Sequence, residues 1–393
     1  MVVGTRPEAI KLAPVLRALR ARAPALRPLL VATSQHREML KQALDTFGLV
    51  PDVDLGLMQA GQNLGQFTAR AMVALTDCFI DTRPDFLLVQ GDTSTVTAAA
   101  LAAFYQGIPI GHVEAGLRSF DLSSPFPEEV NRRIASATAH VHFAPTRAAR
   151  DNLLREGIPG ADVHVTGNTV VDALRMVSPL LTFDIPALDT LPWPERRVAL
   201  VTVHRRENLG PRLESLCDTL LELVRRHRSL HLVFPVHLNP RVRNVVYPRL
   251  GSHPRITLLD PLAYPQMLEA LRRVHLVLSD SGGIQEEVPS FRKPILVLRD
   301  RTERPEVIES GFGRLLGTDP ARIHAAVDEL LNDQAAYARM TSGENPFGDG
   351  CAADRIVDVV GERLRDSSLL SGPRRKSLDG PMDLMRDMLA MAG

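Results

Sequence analysis

Short runs rich in Val, Leu and Ile recur along the chain, and most are apolar at both alternating positions. A strand that is apolar on both faces is covered on both faces, as in a parallel sheet flanked by helices. In the first half this pattern predicts strands at Leu29–Thr33, Phe86–Gln90, Ile108–Val113, Val141–Ala144 and Val163–Thr166. In the second half it predicts Val198–Val203, Leu230–Val236, Ile256–Leu259, Val274–Ser279 and Pro294–Leu298. Apolar residues at helical spacing fill the intervals, as at Pro7–Arg20, Thr95–Tyr105 and Leu213–Arg226. Strand and helix in alternation predict an α/β protein with doubly wound sheets.

The two halves share this plan. The irregular stretch Phe183–Pro194, with Pro186, Pro192 and Pro194, reads as loop near a domain junction. The expected division is a first Rossmann-like domain at residues 1–170 and a second at 171–350. A final helix, Ala352–Leu364, is expected to pack back on the first domain, followed by a tail at 366–393. Only Val2 and Val3 precede Gly4-Thr5-Arg6-Pro7, so the first strand is stunted or begins upstream. Side by side, two such sheets leave a crevice at their strand ends, where ligands of this fold bind.

Composition narrows the function. The 393 residues suit two domains. Lys plus Arg and Asp plus Glu are both 46, which argues against a nucleic-acid binder, because such affinity rests on excess cationic charge. Cys78, Cys217 and Cys351 are widely separated, which fits a reduced cytoplasmic chain better than a disulfide framework or a metal site. No apolar run approaches the ~20 residues needed to span a bilayer.

Candidate chemistry gathers at the expected strand ends. In Ser279-Asp-Ser-Gly-Gly-Ile-Gln-Glu-Glu287 a strand gives way to Ser281, Gly282 and Gly283 and then a helix near Ile284. Free N–H groups at a helix start, with glycines that let an anion come close, make a phosphate or diphosphate site. An ordinary strand-to-helix turn is the alternative. Glu286 and Glu287 are adjacent, so one of them is expected to face the site. Arg6 and Lys11 bring two cations to the start of the first long helix, where Arg6 opposes the helix dipole and so calls for an anion. Asp92, Glu114 and Glu128 follow strands or a Pro-rich loop of the first half. Carboxylates converging with cations in one crevice can give and take protons; equally, Asp92 could cap the helix after it. His204, followed by Arg205 and Arg206, and His237 in Pro235-Val-His-Leu-Asn-Pro240 end strands of the second half. Either could donate to a phosphate or a leaving group. Arg299, Arg301 and Arg304 end a later strand, and at least one could clamp phosphate.

Taken together, GTRPEAIKLAP (4–14), QHREML (35–40), QGDTSTV (90–96), GHVEAGLRS (111–119), PFPEEVNR (125–132), TGNTVVDAL (166–174), HRREN (204–208), PVHLNP (235–240), SDSGGIQEE (279–287) and TERPE (302–306) resemble the bacterial non-hydrolysing UDP-N-acetylglucosamine 2-epimerases. The resemblance implies two Rossmann-like domains in the glycosyltransferase type B arrangement, UDP held mainly by the second domain, and no metal or cofactor. It implies interconversion of UDP-GlcNAc and UDP-ManNAc through elimination of UDP to 2-acetamidoglucal and its re-addition. It further implies a cytoplasmic homodimer. Position by position, Asp92, Glu114 and Glu128 match the family's catalytic acids and His204 the residue that assists the leaving group. Arg6, Lys11, Arg132, His237, Ser281, Gly282, Gly283, Glu287 and Arg304 match substrate contacts. Departures include Val203 and Arg292, where many members have Gly. A hydrolysing relative or a glycosyltransferase on the same fold is the competing reading.

Overall fold

A computed structural model describes residues 1–35, 37–59, 61–180, 186–193 and 195–365. The 366–393 tail, His36 of QHREML and part of the 183–194 stretch therefore lie outside the described residues.

Among the described residues seven strands lie in the first half: β1 (Val2–Val3), β2 (Val31–Ala32), β3 (Val53–Asp54), β4 (Leu87–Gln90), β5 (Ile110–Val113), β6 (Val141–Ala144) and β7 (Val163–Val165). They form two parallel ladders, β1-β2-β3 and β4-β5-β6-β7. β1 lies against β4, and Val2, Val31, Leu87, Val89 and Ile110 share one core, so the ladders continue each other. The second half forms one parallel sheet from β8 (Arg197–Thr202), β9 (Leu230–Pro235), β10 (Ile256–Leu259), β11 (Leu276–Ser279), β12 (Ile295–Val297) and β13 (Gly313–Leu315). Its order is β10-β9-β8-β11-β12-β13. Every pairing among the described strands is parallel, for example β1 with β2, β8 with β11 and β11 with β12, which fits the two-sided apolar runs.

All ten expected strands occur, two with the expected bounds, one displaced by a residue to Arg197–Thr202, and the rest shortened by one to three residues. β3 and β13 were not foreseen. Each is two or three residues long at a sheet edge, and each keeps partly exposed positions, so neither shows the apolar run. The helix Arg6–Arg20 starts from Thr5, whose backbone N–H and hydroxyl both donate to the Glu8 carboxylate, at 2.6 and 2.9 Å. Pro14 sits inside this helix, which nonetheless buries its apolar stripe. The helix Thr169–Val177 packs on Arg6–Arg20, on the closing helix Ala352–Arg365 and on Gly282–Glu287. Asp172 helps fix this junction by accepting from the backbone N–H groups of Ala352 and Ala353. Among the described residues no helix is long and apolar enough to cross a membrane, and the three cysteines are free.

Candidate active site

The carboxyl ends of β1, β4, β5, β8, β9, β11 and β12 bring the candidate groups together in one crevice where the two halves meet. Beyond β4, Thr93 caps the helix Ser94–Tyr105 by accepting from the Val96 N–H. Asp92 is thereby released from the capping role and pairs with Arg132 at 2.6 Å. The Asp92 carbonyl accepts from Asn131 at 2.8 Å, which fixes the loop. Arg132 is 4% exposed at its side chain and also meets Glu129 at 3.1 Å and Glu303 of the second half at 3.8 Å. A guanidinium so enclosed can hold one oxygen of Asp92 in a fixed direction.

Beyond β5, Glu114 adopts φ +66°, a left-handed conformation that costs a non-glycine residue about 1–2 kcal/mol. Such strain persists where the surroundings over-determine it, often at functional sites. The surroundings here are dense. Lys11 forms a buried ion pair with Glu114. Gln90 and Asn168 donate amide hydrogens to the same carboxylate oxygen at 3.1 and 3.4 Å. Burial first, and the nearby Glu286 second, push the Glu114 pKa up, against the pull of Lys11 and Arg304. Glu128 opens its helix 3.9 Å from Arg205 of the second half, and burial together with Asp92 raises its pKa.

Beyond β8, the His204 loop is organised by Asp280, a carboxylate with no exposed surface. Asp280 accepts from the backbone N–H of His204 (3.1 Å), the N–H of Arg205 (2.9 Å) and the Asn208 amide (3.0 Å). That set of donors satisfies a buried charge that would otherwise be costly. The His204 imidazole stacks on His237 with ring centroids 5.5 Å apart. Burial, outweighing the attraction of Asp280, lowers the His204 pKa to about 4, so the ring is neutral at pH 7.

Beyond β11, Ser281 precedes a helix that starts at Gly282, two residues before the expected Ile284, and runs to Glu287. The glycines differ. A Cβ on Gly282 would lie 2.6 Å from an Arg304 nitrogen, whereas one on Gly283 would meet nothing nearer than the Ser281 hydroxyl at 4.0 Å. The side-chain position at Gly283 is thus unobstructed. Both neighbouring carboxylates approach cations of the first half, rather than one alone. Glu286 lies 2.6 Å from the Lys11 nitrogen. Glu287 lies near Arg6 and Tyr264; burial, then Glu286, raises its pKa to about 8. Adjacent helical residues point about 100° apart, and this short helix is wedged between the halves, so its two flanks can both be used.

Beyond β12, Arg304 is enclosed by carboxylates: it bonds Glu286 and Glu303 and lies 3.7 Å from Glu114. Arg299 pairs with Glu303 at 2.7 Å and Glu207 at 3.2 Å, and Arg301 stands exposed beside Asp121. Among the described residues no three acidic, histidine or cysteine side chains are placed to hold a metal ion.

The crevice therefore gathers Arg6, Lys11, Asp92, Glu114, Glu128 and Arg132 opposite His204, His237, Ser281, Gly282, Gly283, Glu287 and Arg304. Sequence reasoning passed over Asp280 and Glu303, and weighed Glu286 only as the alternative to Glu287. Asp280 and Glu303 stand beside residues that were singled out, and their partners come from distant segments.

Two parallel sheets, with a Gly-rich strand-to-helix turn on one and carboxylates clustered with cations at the strand ends of the other, are the arrangement of the two-Rossmann-domain class. The family model for UDP-N-acetylglucosamine 2-epimerase matches residues 17–361. The chain belongs to that family. The UDP-N-acetylglucosamine 2-epimerase of Escherichia coli K12 is 46% identical over 365 residues, covering 91% of this chain and 97% of its own length. The crystal structure of UDP-GlcNAc 2-epimerase from Neisseria meningitidis bound to UDP-GlcNAc has a TM-score of 0.88 at 43% identity, covering 92% of this chain and 98% of the other. An S. aureus MnaA–UDP co-structure has a TM-score of 0.87 at 44% identity, covering 93% and 96%.

Proposed function

We propose that this chain is a non-hydrolysing UDP-N-acetylglucosamine 2-epimerase. The second sheet holds UDP, with the diphosphate at the Ser281–Gly283 backbone and the ribose hydroxyls at Glu287. Arg6, Lys11 and Arg304 supply the surrounding positive charge. The C2 proton of the sugar is not acidic, since no carbonyl adjoins it. Breaking the C1–O bond leaves the bonding pair on the diphosphate and builds positive charge at C1. Helix N–H groups and cations stabilise the departing anion. A carboxylate removes the C2 proton, giving 2-acetamidoglucal. UDP then re-adds at C1 while a proton is delivered to the opposite face of C2.

Two faces of C2 must be served, and two carboxylates in unlike settings are available. Glu114 is buried with a raised pKa, and Asp92 is held by Arg132. Glu128 stands near Asp92 as a third acid/base group. Neutral His204, fixed by Asp280 and stacked on His237, can donate a hydrogen bond to the leaving oxygen. The observation that carries the reading is the Lys11–Glu114 pair from the first half meeting Glu286 and Arg304 from the second. That meeting supports a reading in which acid/base and anion-binding groups serve one small substrate.

Incubation with UDP-GlcNAc in heavy water, followed by NMR, tests this. The expected product is UDP-ManNAc carrying deuterium at C2. Free ManNAc with stoichiometric UDP would replace the reading with a hydrolysing enzyme. The same reading takes residues 1–170, with the helix near 351–365, as one domain and 171–350 as the other. It also carries a cytoplasmic homodimer. Exposed Val73, Ile80 and Tyr105 support the dimer: they lie on neighbouring helices, joined where Gln106 donates to the Thr76 carbonyl, and form apolar surface a second copy could cover.

A further inference from the structure

Lys11, Glu114, Arg304 and Glu286 alternate in charge around a closed ring. Lys11 touches Glu114 and Glu286; Arg304 bonds Glu286 and lies 3.7 Å from Glu114. Lys11 and Glu114 belong to the first half, on the helix Arg6–Arg20 and the end of β5. Glu286 and Arg304 belong to the second, on the helix Gly282–Glu287 and the loop after β12. All four side chains are almost wholly buried, at 7% exposure or less. Half of the ring therefore exists only while the two halves are together.

We propose that Glu286 is a positioning residue whose carboxylate completes this ring on closure of the crevice, aiming Lys11 and Arg304 and thereby setting the proton affinity and direction of Glu114. This rests on the assignment of Glu114 as an acid/base group for C2. Glu286 does not reach the sugar; it acts through its two cations. Each of those cations has a choice of carboxylates, and without Glu286 the Lys11 ammonium keeps Glu114 as its ion-pair partner, with Glu287 further off.

Electrostatics agrees with the geometry. Burial works to raise the Glu286 pKa, yet Arg304 and Lys11 outweigh it and hold the group below its ordinary value, so it stays ionised. Its charge is one of the influences that raise Glu114. The charged groups facing Glu114 are Lys11, Arg304 and Glu286; Gln90 and Asn168 are neutral donors. Those facing Glu286 are Arg304 and Lys11, with Glu287 next in the chain and the Tyr264 phenol nearby. Opening the crevice would remove both the second-half charges and part of the burial, returning Glu114 toward its ordinary affinity. Proton transfer would then be restricted to the closed state, in which the glycal is shielded from water.

The test is the pH–rate profile of purified Glu286→Gln, a near-isosteric change that removes the charge. Whether Glu114 works as base or acid, the limb it controls moves to lower pH, because loss of a neighbouring negative charge lowers a carboxyl pKa. We expect kcat to fall on the order of 10–100-fold, as for a slightly misplaced catalytic group, with KM changed by less than about threefold. Glu286→Asp should restore part of kcat and the wild-type limb. A second variant, Arg304→Lys, keeps the charge but loses the fork that spans Glu286 and Glu303, and should lower kcat in the same way. An unmoved limb in Glu286→Gln, or wild-type kcat in both variants, overturns the proposal. Glu114→Gln is measured alongside. If it retains wild-type turnover, the assignment of Glu114 fails, a result separable from any outcome at Glu286.

Discussion

Gly282 and Gly283 stand next to each other at the start of one helix, yet the structure gives them different reasons to be glycine. In Gly282→Ala the new Cβ would lie 2.6 Å from Arg304 Nη1 and 2.8 Å from its Cζ. Ordinary contact between such atoms needs about 3.5 Å, so the overlap approaches 1 Å. A free arginine would swing aside. Arg304 cannot do so cheaply, because it is bonded to Glu286 and Glu303 and is 6% exposed. The expected cost is about 1–3 kcal/mol, that of overpacking a filled interior. In Gly283→Ala the Cβ meets nothing closer than 4.0 Å. The substitution should leave stability unchanged or improve it by up to ~1 kcal/mol, since alanine is the better helix former. Its methyl instead projects where the diphosphate would approach the backbone. UDP affinity should fall at least about tenfold, or ~1.4 kcal/mol. Urea unfolding and calorimetric UDP titration of the two variants give the readouts. Equal stability of Gly282→Ala and Gly283→Ala would refute the packing argument. Wild-type UDP affinity in Gly283→Ala would refute the placement of the diphosphate.

Other consequences can be checked separately. Asp92→Asn and His204→Asn should each lower epimerase turnover by about 10²-fold or more while far-UV circular dichroism stays that of the parent; near-parental rates in either would remove that residue from the mechanism. Glu287 has a folded pKa of about 8 against 4.5 for the ordinary group, because burial and Glu286 disfavour its charge. Its contribution to stability is therefore fully present below pH 4.5 and is lost as pH rises toward 8. Denaturant midpoints of the protein should fall over that interval, and Glu287→Gln should flatten the fall. Arg292 adopts φ +51° at the end of a short 3₁₀ turn, a conformation suited to glycine. Relief of about 1–2 kcal/mol of left-handed strain, less about 0.4–1 kcal/mol of added chain entropy, predicts a gain of roughly 0.5–1 kcal/mol for Arg292→Gly in urea unfolding.

What the sequence revealed followed from local causes. Runs such as Leu87–Gln90 and Leu276–Ser279 are apolar on both faces and are central strands, so periodicity found them. β3 and β13 are short edge pieces with partly exposed residues, and periodicity has little to register there. The same distinction governs the site. Glycine, proline and charge at a strand end mark Ser281–Gly283, Arg6 and Asp92 without knowledge of any partner. Whether Asp92 caps a helix or meets Arg132 is decided by Thr93, which takes the cap. Which of Glu286 and Glu287 faces the crevice was not decidable locally, because the answer depends on Lys11 and Arg6 arriving from the other half of the chain.

That arrival also bears on how a chain with no net charge could receive a diphosphate. Arg6, Lys11, Arg132, Arg205 and Arg304 face Asp92, Glu114, Glu128, Glu286, Glu287 and Glu303, a set that would carry no positive excess if every carboxyl were ionised. The carboxyls are not equivalent. Burial opposes the charge of all the enclosed ones, but Arg304 and Arg299 hold Glu303 well below its ordinary value, and Arg304 and Lys11 do the same for Glu286. Glu287 lies beyond that compensation and keeps its proton at pH 7, while Glu114 and Glu128 are shifted the same way. Burial thus withholds negative charge at Glu287, beside the cations Arg6 and Lys11. A leaving group that gains negative charge is best served by such a field fixed in advance. In the proposed mechanism Glu114 and Glu128, whose hold on a proton is raised by the same burial, are the groups that return it, so one physical cause, desolvation where the two halves meet, would serve both the leaving group and the acid/base chemistry.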